Sequence, residues 1–354
     1  YDKLGGAARG AYSIHQALVN KGIDSKMLVR RKVSDDPNVI STESNFLKLR
    51  YKFIQKFEAF RVAKYPNKSK TKFSATLNTS LDLSREINRM NPDIVHLQWI
   101  ADGFLKFEDL KKIKAPIIWT IRDMLPFTGG CHYTEECERF LSECGLCKVL
   151  GSDSEKDLSN KTFLIRKKAL LKVSNLTVVG ISQWITKEAA RSVLLKKFES
   201  YYIPNIINTK TFSEREEKES RKKLNLPIDK KLLLFGAIGA ESDPRKGYDY
   251  FLKGLKGINT ENIAVVTFGG KNVNIEKIDN ITFYNFGFID DDDILIDLYN
   301  SCKLMVVPSL QEAYGKTAGE SMAFGTPVVA FYVGGLLDII DHKINGFLAE
   351  PYNA

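Results

Sequence analysis

Residues 304–331 read LMVVPSLQEAYGKTAGESMAFGTPVVAF, and this stretch decides the fold class. Its first four residues form a short apolar run, a polar loop then opens a helix-like segment, and residues 328–331 form a second apolar run. Two short apolar runs joined through a helical segment predict parallel strands with a crossover helix. The stretch is therefore typical of an α/β protein.

The same alternation recurs along the chain in two series. Residues 8–20 are expected to form a helix. The other predicted strands lie at 25–29, 93–97, 115–121, 176–181, 201–203, 232–235, 263–268 and 281–284. Two such series predict two doubly wound, Rossmann-like domains, spanning 1–207 and 208–354. We expect the first strand of the first domain and the C-terminal helices of the second to lie outside this sequence.

The composition is that of a globular protein without membrane spans. Of the 354 residues 44% are apolar, which is enough for sizeable cores and excludes a disordered chain. No apolar run approaches the roughly 18 to 20 residues of a transmembrane helix, and residues 1–3 do not resemble a signal peptide. The net charge of +9 allows an anionic partner, but no nucleic-acid recognition module is recognisable. We therefore expect a cytoplasmic protein without a nucleic-acid partner.

The deciding stretch also carries candidate binding chemistry. Glu312 and Glu320 are eight residues apart, which corresponds to about 12 Å of helix rise. That separation suits one carboxylate at a sugar and the other at a ribose. The backbone N–H groups of Gly315, Lys316 and Thr317 open the helix and predict a site for a diphosphate. The bare spacing fits a solvated helix with a capping glutamate equally well.

The complete stretch resembles the donor-site signature of glycosyltransferase family 4, whose members are retaining enzymes with the GT-B fold of two facing Rossmann-like domains. Further matches to that family lie at residues 5–9, 91–96, 203–205, 243–247 and 334–335. The resemblance implies that Glu312 engages the donor sugar, that Glu320 holds the ribose and that Lys246 binds phosphate. The family's Gly-Arg pair is absent, since Ala237 follows Gly236. Arg245 is assigned the missing guanidinium.

Residues 119–133 resemble a subgroup of bacterial surface-polysaccharide transferases, of the colanic-acid type. The residue before Asp123 is typically histidine in that subgroup, and here it is Arg122, whose guanidinium cannot shuttle a proton at neutral pH. His96 is the nearest alternative, although a lone histidine at a strand end is often structural. The resemblance places Gly6 near the donor phosphates. Arg9 and Asp123 are expected on the acceptor side.

Four cysteines cluster with the spacing Cys131-x5-Cys137-x6-Cys144-x2-Cys147. The closing Cys-x-x-Cys pair has the local geometry of a zinc knuckle, and four thiolates would form a closed structural site. Two disulfides or four free thiols are the alternatives. The resemblance implies that no metal is needed for sugar transfer, so any zinc would be structural.

Residues 45–72 hold nine lysines and arginines against a single acid, Glu58. Aromatic and aliphatic residues recur there at helical spacing: Phe46, Leu49, Phe53, Phe57 and Phe60. Such a helix lies on an anionic membrane surface in one interpretation. In the other, the apolar stripe faces the protein core and the basic face is solvated.

The family resemblance implies a glycosyltransferase that moves a hexosyl group from a UDP- or GDP-sugar to a saccharide or lipid-linked acceptor, in surface polysaccharide or exopolysaccharide synthesis. Contact with the inner face of the plasma membrane would bring it to a lipid-linked acceptor. Domain closure is expected to complete the site. The alternatives are a nucleotide-sugar epimerase or hydrolase, which would turn over the donor without acceptor, and a non-catalytic relative that binds nucleotide-sugar or polysaccharide.

Overall fold

The computed structural model describes residues 1–79, 81–207, 215–239 and 242–353. The chain divides into two compact units, Tyr1–Pro204 and Asn205–Ala354. The join expected from the sequence, between 207 and 208, borders residues 208–214, which lie outside the described residues. The domain limits 1–207 and 208–354 therefore stay predictions.

The first unit is built on parallel strands. Its described strands are β1 Met27–Val29, β2 Val39–Ser41, β3 Val95–Leu97, β4 Ile117–Ile121, β5 Leu176–Gly180 and β6 Ser200–Tyr202. Its described α-helices are α1 Gly6–Asn20, α2 Asn45–Ala63, α3 Leu83–Arg89, α4 Phe107–Leu110, α5 Leu158–Leu170 and α6 Gln183–Arg191. The strands β3, β4, β5 and β6 pair in this order in one parallel sheet, and β1 pairs with β2 in another.

The central strand β4 explains why this sheet forms. Its Ile117, Trp119 and Ile121 side chains are buried almost completely, because helices cover the faces of a parallel sheet. The strand is correspondingly a near-continuous apolar run. Arg122 and Asp123 follow directly, so they lie at the carboxyl end of β4.

The second unit contains a larger sheet. Its described strands are β7 Lys231–Gly236, β8 Ile263–Phe268, β9 Val273–Ile278, β10 Ile281–Phe286, β11 Leu304–Val307, β12 Val328–Phe331 and β13 Gly346–Ala349. Its described α-helices are α7 Glu217–Lys223, α8 Tyr248–Lys256, α9 Asp292–Ser301 and α10 Lys316–Ala323. The order across the sheet is β13-β12-β11-β7-β8-β10-β9.

The parallel strands of this sheet follow the order 3-2-1-4-5-6 of a dinucleotide-binding fold, when β7 is counted first and β9 is set aside. The strand β9 is antiparallel to β10 and lies at the edge. The order reverses between the neighbouring strands β7 and β11. Ligands of open α/β sheets bind at the carboxyl ends of the strands where the order reverses. A ligand-binding site is therefore expected at the loops that follow β7 and β11.

Among the described residues, no helix combines the length and the apolar character that crossing a membrane requires.

Candidate functional site

The loops that follow β7 and β11 are bound to each other. The backbone N–H of Leu310 donates to the carbonyl of Arg245 at 2.8 Å, and the Arg245 guanidinium donates to the carbonyl of Gln311 at 2.7 Å. Gly247 has φ +70°, and a Cβ there would collide with the carbonyl of Pro308. A side chain at this position would therefore force the two loops apart.

Glu312 lies in the second of these loops and faces two cations. Lys246 Nζ donates to Glu312 Oε2 at 2.6 Å, and Arg245 Nη1 lies 3.6 Å from the same oxygen. Burial alone would raise the pKa of Glu312. The charges of Lys246 and Arg245, with hydrogen bonds from Lys246 and Ser309, outweigh burial and hold that pKa below its ordinary value. Glu312 is therefore ionised at neutral pH.

Two glycines also pack against the backbone of the Glu312 loop. The N–H of Gly335 donates to the Glu312 carbonyl at 2.8 Å. Gly334 has φ +52°, and a Cβ there would collide with the same carbonyl. These contacts give a physical reason for the glycine pair at 334–335 that the sequence comparison singled out.

The diphosphate site expected at residues 315–317 corresponds to the start of α10. Gly315 precedes the helix with φ +90°, and no side chain caps it. The first N–H groups of α10 are therefore left to a ligand or to water. The expected 12 Å of helix rise between the two glutamates is wrong, because α10 begins at Lys316 and contains only Glu320, whereas Glu312 lies in the preceding loop.

Glu320 is buried and already has two partners. The hydroxyl of Tyr299 donates to Oε2 at 2.9 Å, and Lys316 Nζ lies 3.0 Å from Oε1. A carboxylate offers about four acceptor sites, so each oxygen retains room for a further donor. Tyr299 was missed in the sequence because it lies 21 residues away on α9, and no local pattern marks it.

In the first unit, His96 and Arg122 are linked through an amide. Arg122 Nε donates to Gln98 Oε1 at 2.9 Å, and Gln98 Nε2 lies 2.9 Å from His96 Nε2. Because the guanidinium can only donate, the amide oxygen of Gln98 must face it, and the amide N–H groups face His96. Thr120 Oγ1 lies 2.7 Å from the same His96 nitrogen. His96 Nε2 therefore accepts, and the ring proton sits on Nδ1.

The surroundings of His96 and Arg122 set the charges of these two side chains. Part of the His96 ring is exposed to solvent, yet the protein packed around the rest of it, together with the nearby Arg122 charge, lowers its pKa to about 4. Burial lowers the pKa of Arg122 to about 10, so the guanidinium stays protonated at neutral pH. A Cβ at Gly10 of α1 would lie 2.5 Å from Arg122 Nη1, so the guanidinium packs against a glycine. At neutral pH the pair is a cation beside a neutral imidazole.

Asp123 belongs to a second network. Its Oδ2 lies 2.7 Å from His132 Nδ1 and accepts a hydrogen bond from Trp99 Nε1 at 3.1 Å. His132 Nε2 lies 2.9 Å from Ser74 Oγ. Burial alone would raise the pKa of Asp123, but the contacts with His132, Leu125 and Trp99 lower it. No local pattern in the sequence links Trp99, Ser74 or His132 to Asp123.

Gly6 and Arg9 lie at the start of α1 in the first unit. Gly6 is the first residue of that helix, and a Cβ there would have no described atom within 4 Å. The N–H of Arg9 donates to the Gly5 carbonyl at 3.0 Å. The structure thus brings together Arg245, Lys246 and Glu312, joins Lys316 to Glu320, and joins His96 to Arg122. The roles expected of these residues stay predictions.

The cysteine cluster contains free thiols. Burial raises the pKa of Cys131 and raises that of Cys144 to about 12, so both thiols are neutral. Within the described ranges, no group of three or more His, Cys, Asp or Glu side chains is arranged to hold a metal ion. The structural zinc at Cys131, Cys137, Cys144 and Cys147 stays a prediction from the spacing.

Comparison with known proteins finds a family model that matches most of the second unit. Residues 229–354 match the family model described as "Glycosyl transferases group 1". A protein of Methanocaldococcus jannaschii named as an uncharacterised glycosyltransferase is 27% identical over 241 residues, which are 65% of this chain and 57% of that protein. The match thus spans little more than half the length of that relative.

Two solved structures are similar in fold. A sucrose-phosphate synthase from Thermosynechococcus elongatus matches with a TM-score of 0.61 and 18% identity, over 99% of this chain and 81% of that one. Anabaena HepE in complex with UDP-glucose matches with a TM-score of 0.53 and 14% identity, over 77% of this chain and 69% of that one. At this identity the likeness shows the fold alone. The expected GT-B fold class, with two Rossmann-like units of parallel strands, is confirmed.

Proposed function

Because a group 1 glycosyltransferase domain is present in the second unit, we propose that the chain transfers a hexosyl group from a UDP- or GDP-sugar to a saccharide or lipid-linked acceptor, with retention of configuration. The product would belong to a surface polysaccharide or exopolysaccharide. The observation that carries the proposal is the cluster of Arg245, Lys246 and Glu312 at the carboxyl ends of β7 and β11. The UDP-glucose bound to Anabaena HepE, a protein of similar fold, supports a UDP-sugar.

The cluster suits a nucleoside diphosphate that carries a sugar. Lys246 and Arg245 supply two positive charges, which would stabilise the negative charge that builds up on the departing diphosphate. Glu312 is held ionised beside them and would accept hydrogen bonds from sugar hydroxyls. A site with both signs of charge suits a donor that presents phosphate oxygens to the cations and sugar hydroxyls to Glu312.

Glu320 and α10 would hold the nucleoside part of the donor. The Glu320 carboxylate is fixed by Tyr299 and Lys316 and keeps acceptor capacity for ribose hydroxyls. The N–H groups that open α10, at Gly315, Lys316 and Thr317, would bind phosphate oxygens.

On the acceptor side, Arg122, His96 and Asp123 would orient the acceptor. His96 Nε2 is occupied by two donors and has a low pKa, so it is a weak base in this arrangement. In this proposal the departing phosphate takes the acceptor proton. Catalysis then rests on orientation and on charge stabilisation, without a covalent nucleophile.

Calorimetric titration with UDP-, GDP- and ADP-sugars tests the donor site. We expect saturable binding to one nucleotide series, and an affinity at least about 10-fold lower in Glu320→Ala, because the ribose would lose a charged partner. Glu261→Ala, in an exposed loop of the same unit, is the matched control and should bind as wild type does. Glu320→Gln, which keeps the side-chain volume, guards against loss of binding through unfolding.

Three results would contradict the proposal. If the protein is shown to be folded and binds none of the nucleotide-sugars, a nucleotide-sugar donor is excluded. Turnover of a nucleotide-sugar without any acceptor would favour an epimerase or hydrolase. Tight binding without turnover on any saccharide or lipid-linked acceptor would favour a non-catalytic relative.

A further inference from the structure

The helix α2 carries an apolar stripe on the protein surface. Five of its side chains are exposed over half or more of their area: Phe46 72%, Leu49 58%, Phe53 65%, Phe57 50% and Phe60 59%. Their spacing of three and four residues puts all five on one face of the helix. From the first to the last they extend over about 21 Å. A continuous exposed apolar stripe of this length marks an interaction site.

A different face of α2 anchors the helix to the first unit. Tyr51 is buried, and Leu47, Ile54 and Val62 are partly buried on the same side. Tyr51 and Ile54 pack near Gly103, where a Cβ would lie 3.2 Å from the Ile54 side chain. The stripe is therefore an additional apolar face. The expectation that it faces the core is wrong, because other residues of the helix fill that role.

Positive charges border the stripe on both sides. At 100° per residue, Lys48, Lys52 and Lys56 form a row along one edge, and Arg50 and Arg61 lie along the other. These five side chains account for all but one of the cations in residues 45–64, which contain a single acid.

Two cations also lie over rings of the stripe itself. The Arg61 guanidinium is 4.3 Å from the centre of the Phe57 ring, and Lys64 Nζ is 5.1 Å from that of Phe60. The single acid, Glu58, is on the anchored side, where Arg61 lies 3.2 Å from it. The stripe therefore presents aromatic rings framed by positive charge.

We propose that this face of α2 docks on an anionic lipid bilayer. The aromatic side chains would enter the boundary between headgroups and acyl chains, and the lysine row would contact lipid phosphates. A second copy of the chain would bring like charges together. A nucleic-acid duplex would engage the cations and leave the apolar stripe in water. The proposal does not depend on the donor site, although docking would bring the enzyme to a lipid-linked acceptor.

Co-sedimentation of the full chain with vesicles tests this docking. We expect binding to phosphatidylcholine vesicles with about 30% phosphatidylglycerol, weaker binding to phosphatidylcholine alone, and a loss when salt rises from about 0.1 to 0.5 M. The variant Phe53→Ser/Phe57→Ser should lower the partition coefficient at least about 10-fold, since two rings leave the membrane. Lys52→Gln/Lys56→Gln should abolish most of the preference for the anionic vesicles.

The matched control is Val273→Ser/Ile275→Ser, which removes two apolar side chains that are 79% and 67% exposed on the edge strand β9. It should leave vesicle binding unchanged. Nucleotide-sugar binding by Phe53→Ser/Phe57→Ser should equal that of wild type, so a failure here is separable from a failure of the donor site.

Equal partition of the phenylalanine variant and wild type would overturn the proposal. A concentration-dependent dimer that this variant dissolves, without vesicle binding, would assign the stripe to a second copy. Salt-sensitive binding to DNA that ignores the phenylalanine changes, again without vesicle binding, would assign the cations to nucleic acid.

Discussion

The two units hold their candidate residues at the same kind of place, the carboxyl ends of neighbouring parallel strands, but they set the charge of those residues by different means. In the second unit, Lys246 and Glu312 are both charged and in direct contact at 2.6 Å. In the first, the Gln98 amide links Arg122 to His96, and the imidazole is neutral. A similar backbone position thus holds a direct ion pair in one unit, and in the other a cation linked through an amide to an uncharged imidazole.

The difference has a chemical consequence. An ion pair whose members are only partly buried can open, and its charges can be taken over by a charged ligand at little net cost. An uncharged imidazole that accepts two hydrogen bonds is suited to orienting a neutral hydroxyl. The contrast is the one expected if, as proposed, a charged donor binds to the second unit and a neutral acceptor to the first.

Replacing Lys246 with alanine should give the largest effect, because the ionic site depends on this contact. We expect the affinity for the nucleotide-sugar to fall about 100-fold, since a charged hydrogen bond to phosphate is lost and Glu312 keeps only Arg245 as a neighbouring cation. Calorimetric titration measures this change, with the thermal unfolding midpoint recorded alongside.

The matched control for this prediction is Lys256→Ala. Lys256 is 71% exposed and lies 3.8 Å from Asp279, so its removal should change neither affinity nor stability measurably. An affinity of Lys246→Ala within threefold of wild type would show that the ionic site is not where the donor binds.

A smaller effect is expected where α1 meets Arg122. The change Gly10→Ala places a Cβ 2.5 Å from Nη1 and 3.0 Å from Cζ of a buried guanidinium, which must move. We expect the free energy of unfolding to fall by about 1 to 2 kcal/mol, since overpacking outweighs the better helix propensity of alanine. Urea unfolding measures the change.

Gly254→Ala provides the comparison in the other unit. Gly254 lies inside α8, and a Cβ there would have no described neighbour within 4 Å. This substitution should stabilise the protein by about 0.5 to 1 kcal/mol. If both glycine changes stabilise to the same extent, the Arg122 side chain does not pack as tightly against α1 as the structure indicates.

The sequence predicts all strands of the four-stranded sheet and most strands of the seven-stranded sheet, because buried parallel strands are short apolar runs with helical segments between them. It misses β2, β9 and β13. In β9 polar and apolar residues mix at an exposed edge, so there is no apolar run to recognise. It also predicts the loops at 243–247 and 308–315 as the donor site. Contacts between residues distant in the chain could not be predicted from the sequence, because no local pattern links Tyr299 to Glu320 or His132 to Asp123.

The helix α2 shows a further limit of sequence patterns. Two sets of its residues have helical spacing, one led by Phe46 and Phe53 and the other by Leu47 and Tyr51. Periodicity identifies each set as a face, but only packing against the rest of the unit decides which one is buried. The larger set is the exposed one.

The smallest expected effect is a change in the pKa of His96, which tests the contrast between the two units. Removing the guanidinium with Arg122→Gln should raise the pKa of His96 from about 4, because a nearby positive charge no longer opposes protonation. The shift should stop below the ordinary value of 6.5, since the surrounding protein, which is the larger cause, remains. Titration of the four histidine rings by NMR measures it, with His96→Gln to assign the signal.

The same change should alter how stability depends on pH. The unfolded chain binds a proton at His96 near pH 6.5 whereas the folded wild type does so only near pH 4, so folded stability is lost as the pH falls through that window. In Arg122→Gln the folded-state pKa of His96 is higher, so the pH range over which stability is lost becomes narrower at its acid end. The total loss of stability on acidification is therefore smaller. Arg85→Gln, an exposed change in the same unit, should leave both the pKa and the pH profile as in wild type. An unchanged His96 pKa in Arg122→Gln would mean that the surrounding protein alone keeps the imidazole neutral, and the contrast between an ion pair and an uncharged imidazole would then not depend on the arginine.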